Sequence, residues 1–339
     1  MIKRRILTAA VAAVLLLAAG LSTTGCKQIK ELAKFDTTTV LGMSGEVIVI
    51  MDKADWEGAP GAAVRAALES PVDFLDPAEN KFKLYFVQKG NLSRQLQMNR
   101  NLFMFEIGED CETAGVSYID DMYAHPQITV KVKAHDAEEA ARLVTENADA
   151  IYHKIELAEI NRNVLSCYRY ELKDITQKIE AFAGGSPRIP NTGYTVAAQA
   201  PGFIWLNNAT TYVTSGVIVT AYPATGENDL DPAELTRRLR EQINANVPGG
   251  PEGSYMDIVE SISPIVSDLR VNGRPIKQIR SRWTINGDTM GGPYVSHSFL
   301  TPDGKKVVTM MAFLFCQRYD NRIYFRKVES ILYSFKWKE

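Results

Sequence analysis

The chain has 339 residues, 45% hydrophobic and 23% charged, with a formal net charge of −2. That composition excludes a disordered chain, a collagenous one and a disulfide-dense miniprotein, and the length suggests two cores. Near-neutral charge gives no electrostatic reason for a nucleic-acid partner.

The first residues are an address. Lys3, Arg4 and Arg5 precede an uncharged run from Ile6 to Gly20, a basic n-region and apolar h-region of the secretory type. The run is shorter than the roughly 20 residues a spanning helix needs. Leu21-Ser22-Thr23-Thr24-Gly25-Cys26 follows and resembles the lipobox of bacterial lipoproteins, although the family pattern prefers an aliphatic residue where Thr23 stands. The resemblance implies removal of residues 1–25 and acylation of Cys26 by a diacylglyceryl thioether and an N-acyl chain such as palmitate. The bland alternative is ordinary cleavage nearby, with Cys26 a chance thiol. Acyl chains contribute about 0.8 kcal/mol per buried methylene, so a multiply acylated Cys26 would anchor the protein to a lipid bilayer. Lys27-Gln28-Ile29-Lys30-Glu31 lacks the acidic cluster that resembles a surface-export signal, so the expected place is the cell envelope, on the outer membrane and facing the periplasm. Losing Lys3, Arg4 and Arg5 leaves 35 basic residues against 40 acidic, a net charge of −5. Cys111, Cys167 and Cys316 remain, with no CxxC among them.

Residues 26–45 read as a tether and 46–185 as a first α/β domain. Strands are expected at Glu46–Met51, Lys81–Gln88, Asn101–Ile107 and Gln127–Lys133, interleaved with a helix at Pro60–Leu68. Asp136 and Glu139 form a capping-box pattern that opens a long helical stretch ending at Gly184-Gly185. With Pro187 and Pro190 behind it, that glycine pair is the expected domain boundary.

The second domain, 190–339, begins with strands at Thr195–Asn207 and Ser215–Tyr222. Asp231-Pro232-Ala233-Glu234 starts a helix with Leu235, Leu239 and Ile243 as its buried stripe. Strands at Lys277–Ile285, Tyr294–Leu300 and Lys305–Gln317 follow, the last two joined by the turn Thr301-Pro302-Asp303-Gly304. A helix over Arg322–Phe335 closes the chain. The expected class is α+β: two α/β domains with mixed or antiparallel sheets, the C-terminal one an α/β/α sandwich. This order of elements, with Ala200-Pro201-Gly202-Phe203 at its opening, is similar to the Mog1/PsbP-like fold, whose members are mostly non-enzymatic accessory proteins.

Catalytic and metal signatures are sparse. The P-loop, GxGxxG and HExxH patterns are absent, and no cofactor or metal is implied. Gly42-Met43-Ser44-Gly45 falls one residue short of a nucleophile elbow. His125, His135, His153 and His297 are scattered without metal-ligand spacing. Two glycine-rich stretches stand out, Pro248–Met256 and Asn286–His297, together with Arg280-Ser281-Arg282-Trp283. They resemble the signature segments of the DUF4837 family of uncharacterised Bacteroidetes lipoproteins, which usually reads Phe where this chain has Tyr294. The resemblance takes in most of the mature chain, including the strand and Trp56 at Val47–Trp56; it implies an address and no activity.

The candidate ligand surface is Tyr255, Arg282, Trp283, Asp288, Gly291, Gly292, Tyr294 and His297, lining a cleft where glycine amides could meet a polar ligand. The alternative is that both stretches are tight structural loops. The expected function is a membrane-anchored, non-catalytic binding or accessory module whose partner is an envelope protein or a small ligand. The competing expectation is an envelope hydrolase acting on peptide or glycan, with Asp288 and His297 as an acid/base pair. Asp36-Thr37-Thr38 and Asp288-Thr289-Met290 also resemble the O-glycosylation tripeptide of Bacteroidetes.

Overall fold

The computed structural model describes residues 39–317 and 320–338. The leader, Cys26 and the tether as far as residue 38 lie outside the described residues.

The β-branched run Glu46–Met51 forms strand β1, buried along five of its six residues. Burial on both faces suits the interior of a parallel sheet. β1 lies between β2 (Lys83–Gln88) and β3 (Asn101–Ile107), parallel to both. β4 (Gly115–Asp120) and β5 (Ile128–Ala134) complete a mixed sheet in the order β2-β1-β3-β5-β4, with β4 antiparallel at its edge. After the short α1 (Lys53–Glu57), α2 (Ala59–Leu68) enters with Pro60 in its first turn, where a missing N–H costs nothing. The opposite face of the sheet is covered by α3 (Arg94–Gln97) and the chain before it, with Leu92 and Leu96 over Ile48, Ile50 and Leu102.

Helices α4 (Ala137–Glu146) and α5 (Ala148–Arg169) cover the same face as α2, and Val64, Leu68, Val144, Ile151 and Ile155 share one core. Asp136 caps α4, its carboxylate accepting from the Glu139 N–H at 2.8 Å. The Glu139 carboxylate reaches the N–H of His135 at 2.9 Å instead of that of Asp136, so the box closes one residue early. The chain before β1 is not all tether. Leu41 N–H donates to Met98 O at 2.8 Å and Arg100 N–H to Leu41 O at 3.0 Å, so residues 39–45 are docked on the first domain.

In the second domain one antiparallel sheet carries helices on both faces, the expected α/β/α sandwich. β10 (Tyr255–Ile258) and β11 (Ile265–Val271) share one edge of β12 (Arg274–Asn286). The order continues through β13 (Gly291–Leu300), β14 (Lys306–Cys316), β9 (Val213–Pro223), β8 (Phe203–Ala209) and β7 (Thr195–Ala200). On one face α7 (Pro232–Asn246) buries Leu239 and Ile243 against Trp283, Tyr294 and Phe313, its start capped by Asp231 as expected. The other face carries α6 (Lys173–Ala183) and α8 (Asn321–Tyr333).

Three expectations need correction. The boundary falls at Tyr170–Leu172, before α6 rather than after it, because Ile175, Ile179 and Ala183 pack with Val217 and Leu332 of the second core. The glycine pair is a helix stop. Gly184 caps α6 at φ 73°, and Gly185 starts the two-residue β6 (Gly185–Ser186), where a Cβ would come within 2.5 Å of Lys336 O on β15 (Lys336–Trp337). The expected strand Thr195–Asn207 is a hairpin that turns at Gly202, φ 70°. β11 was not anticipated, although Asn272-Gly273 joins it to β12 with φ 51° and 78°, the two-residue turn that asparagine and glycine favour.

The signature glycines answer to packing. The Trp283 indole N–H donates to Leu314 O at 3.2 Å. A Cβ on Gly292, between them, would lie 2.1 Å from that oxygen and 3.4 Å from the indole nitrogen. Gly292→Ala should therefore destabilise the protein by about 1–3 kcal/mol, the range for overpacking. Urea denaturation measures this, and an unchanged midpoint would contradict the packing role.

Candidate functional site

The residues singled out by the glycine-rich stretches do not form one cleft. Tyr294 and Trp283 lie in the core under α7, whereas Val295 and Phe299, which alternate with Tyr294 and share the parity of His297, face α8. His297 is 1% exposed, and its ring packs edge-on against Tyr333 of α8. Asp288 sits in the exposed turn between β12 and β13, accepting from Thr289 N–H. At about 3.3 Å per residue, the strand from Gly291 to His297 separates the two by roughly 20 Å, which removes the proposed acid/base pair. Arg282 points toward the first domain, 3.6 Å from the exposed Asp76. The two stretches do adjoin, with Tyr255 paired to Asn286 and its OH accepting from Asn286 Nδ2 at 2.7 Å, while the first is closed on itself by Gly249 N–H donating to Ser254 O. They pack as tight loops. Gly291 is held to glycine as well, since a Cβ would stand 2.7 Å from Trp283 O. Ser44, considered as a nucleophile, donates its hydroxyl to Glu159 at 2.8 Å.

The chemically dense region lies where the two domains meet. Helix α8 is buried on both sides: Phe325, Val328, Ile331 and Leu332 enter the second core, and Arg322, Arg326 and Ser330 face the first domain. The Glu79 carboxylate, from the first domain, accepts from the N–H groups of Asn321 and Arg322 at 2.7 and 3.0 Å and so caps α8. Arg322 donates to Asn80 O at 2.7 Å, and Arg326 to Lys81 O at 3.2 Å. Arg326 also grips Glu156 of α5 in a two-pronged pair at 2.8 and 2.6 Å. A Cβ on Gly45 would lie 3.1 Å from Arg326 and 3.3 Å from Arg322, so this glycine gives both guanidinium groups room. Behind the seam, Glu159 of α5 is fully buried and held by Arg100, Arg162 and Asn101. Burial works against its ionised form, but the Arg100 and Arg162 charges outweigh that and keep its pKa below the usual carboxylate value.

Beside this seam a cleft of about 480 Å³ opens between α5 and β11, within the size range of small-molecule sites. Tyr152, Glu156, Leu157 and Ile160 form the α5 wall, and alternate residues Ile265, Ser267, Leu269 and Val271 form the β11 wall. Gln278, Arg280 and Tyr333 make the floor. Arg280 donates through Nε to Gln278 Oε1 at 3.1 Å and through Nη2 to the buried Glu329. Gln278 in turn donates to His297 Nε2 at 3.0 Å, which leaves the ring proton on Nδ1. His297 therefore does not line the cleft but supports its floor from beneath. Its pKa is pushed from 6.5 down to about 3, first by burial and then by the Arg280 and Arg274 charges. Lys81 lies at the cleft with its ammonium 4.3 Å from the Tyr152 ring centre. Of the cleft-lining residues only Arg280 belongs to the signature segments, with His297 beneath it. The available signal was Arg322, Arg326, Glu329 and Tyr333 at three- and four-residue spacing on the closing helix, a charged stripe beside its apolar one.

Two tests follow from this geometry. Glu156→Gln leaves Arg326 buried without its counter-charge and should cost about 3–5 kcal/mol, whereas Glu156→Leu with Arg326→Met should cost much less. Urea denaturation of the two variants separates the cases, and equal losses would contradict a coupled pair. His297 gives a pH dependence whose sign is fixed. The unfolded chain takes up a proton near 6.5, and the folded chain resists until about 3. Stability should thus fall as pH is lowered through that window, by up to about 1.4 kcal/mol per unit from this group. His297→Gln should lose that component of the slope, and parallel profiles for the two proteins would overturn the assignment.

Comparison with known families follows the same division. Residues 40–166 match the model described as Domain of unknown function (DUF8532). Residues 173–334 match the model described as Domain of unknown function (DUF4837). No curated protein matches the chain. The Val47–Trp56 opening, first grouped with the DUF4837 resemblance, falls within the other model, and the junction at Tyr170–Leu172 falls between the two. The chain thus joins two domains that match two separate families, the second of them the DUF4837 family that its Trp283 and glycine segments resemble.

Proposed function

We propose that this chain is a lipid-anchored envelope protein whose two domains form a non-catalytic binding module, with the ligand seated in the cleft between them. The observation that carries the binding reading is the cleft itself. Both domains line it, and at its floor the partly buried Arg280 is held by the buried Glu329 behind it, in place of a plain apolar seam. Buried charges held in position at the base of a concave surface are a common basis for recognition. The anchoring half of the reading rests on the basic and apolar leader and on the Gly25-Cys26 junction, which resembles a lipobox. A Bacteroidetes source and kinship of the second domain with the Mog1/PsbP-like accessory proteins belong to the same reading. They rest on the signature segments and on the order of elements around an antiparallel sheet.

The two halves are tested separately. Cys26→Ala should move the protein from the membrane to the soluble fraction and abolish labelling by a radioactive or alkynyl fatty acid; undiminished membrane retention would overturn the anchor. For the cleft, native mass spectrometry of protein purified from its own envelope should show a bound component on the wild type that Ser267→Trp, which fills the cleft, excludes. An identical bound fraction on both proteins would overturn the cleft as the site.

A further inference from the structure

We infer that the interdomain cleft takes a carboxylate-bearing ligand with an apolar body, its carboxylate received by Arg280 and Lys81. This rests on reading the cleft as a binding site and goes on to name the ligand class.

The charges at the cleft fall into two groups. Asp73, Asp149 and Arg270 are exposed at its mouth, where water and salt weaken them. The inner charges are more tightly arranged. Glu156 is committed to Arg326, and Glu329 to Arg280. Among the described residues no carboxylate pairs with Lys81, whose ammonium rests on the face of Tyr152. The inner set therefore carries one more positive charge than negative. Arg280 uses Nε and Nη2 within the protein, and among the described residues its Nη1 has no hydrogen-bond partner. Two cationic donors are thus left at the cleft, one of them on a guanidinium that its bonds to Gln278 and Glu329 hold in place. The neighbouring Glu329 does not cancel the site, since its charge is already matched by Arg280 through Nη2 and the Lys81 charge is left over.

The walls set the rest of the ligand. Leu157 is 45% exposed and Ile265 40%, and they face the cleft from opposite domains with Ile160 and Leu269 behind them. An apolar segment laid between α5 and β11 would remove these side chains from water, at about 25 cal/mol per Å² buried. Donors at the floor and aliphatic walls above them describe an amphiphilic acid better than a sugar or a polycation.

The probes are decanoate, 1-decanol and decylammonium, titrated below their aggregation thresholds into the protein lacking residues 1–26. The proposal expects decanoate to bind at least about tenfold more tightly than either of the others, as charged hydrogen bonds do. Lys81→Gln, which breaks no ion pair in the fold, should weaken decanoate at least about tenfold and leave decanol unchanged. Leu157→Glu should abolish decanoate binding by placing a carboxylate on the apolar wall. If decanol and decanoate bind alike, or Lys81→Gln leaves decanoate untouched, the ligand class is wrong while the cleft can still be the site. Decanoate binding that survives Leu157→Glu would place the acid elsewhere and overturn the proposal. Failure of all three probes to bind overturns it too, and the envelope-derived component above then judges the cleft by itself.

Discussion

Helix α8 is wedged between two domains, and Lys327 is the one exposed residue along it. One flank is committed to the second core through Phe325, Val328 and Leu332, and the other faces the first domain with Arg322 and Arg326. Guanidinium groups buried in this way destabilise a protein unless carboxylates and carbonyls meet them in good geometry. The partners come from the other domain: Glu156 on α5 and the carbonyl oxygens of Asn80 and Lys81, while the Glu79 carboxylate takes the backbone N–H groups at the helix start. The two domains are therefore fixed in orientation by a demand that neither can meet alone. Directional polar contacts of this kind specify one arrangement more sharply than an apolar seam would.

The cleft is a consequence of that orientation. α5 gives its Glu156 to α8 and so stands across from β11, which holds the free edge beside β12. The gap between them is lined by both chains of contact, and its floor is continuous with the seam through Glu329, Arg280, Gln278 and His297. The signature glycines and Trp283 play a different part. They let β12, β13 and β14 approach closely at the far end of the sheet, so that Gly292 admits the hydrogen bond from Trp283 to Leu314. A family signature that looked like a binding loop is thus a packing device.

What the sequence disclosed follows from the range of each interaction. Strands β1 and β3 and the start of α7 were legible because their signals are local: a β-branched run, an apolar run, and an Asp-Pro cap. The α/β/α layering of the second domain followed from the order of such elements. Gly184-Gly185 misled because a helix stop and a linker share one composition, and only the apolar face of α6 decides which core it joins. β11 could have been found from Asn272-Gly273. The pairing of Arg326 with Glu156 spans 170 positions, and no local pattern announces it. For the same reason conspicuous glycines drew the candidate site, while the polar groups that line the interdomain cleft are a lysine, an arginine and two tyrosines drawn from distant segments.

The seam makes one cooperative body of the two domains. Differential scanning calorimetry of the protein lacking residues 1–26 tests it most directly. A single transition, with equal calorimetric and van't Hoff enthalpies, is the result this account predicts. Two separate transitions, or one whose calorimetric enthalpy well exceeds the van't Hoff value, would mean that the domains melt independently, and that the cleft between them is not held by the contacts described.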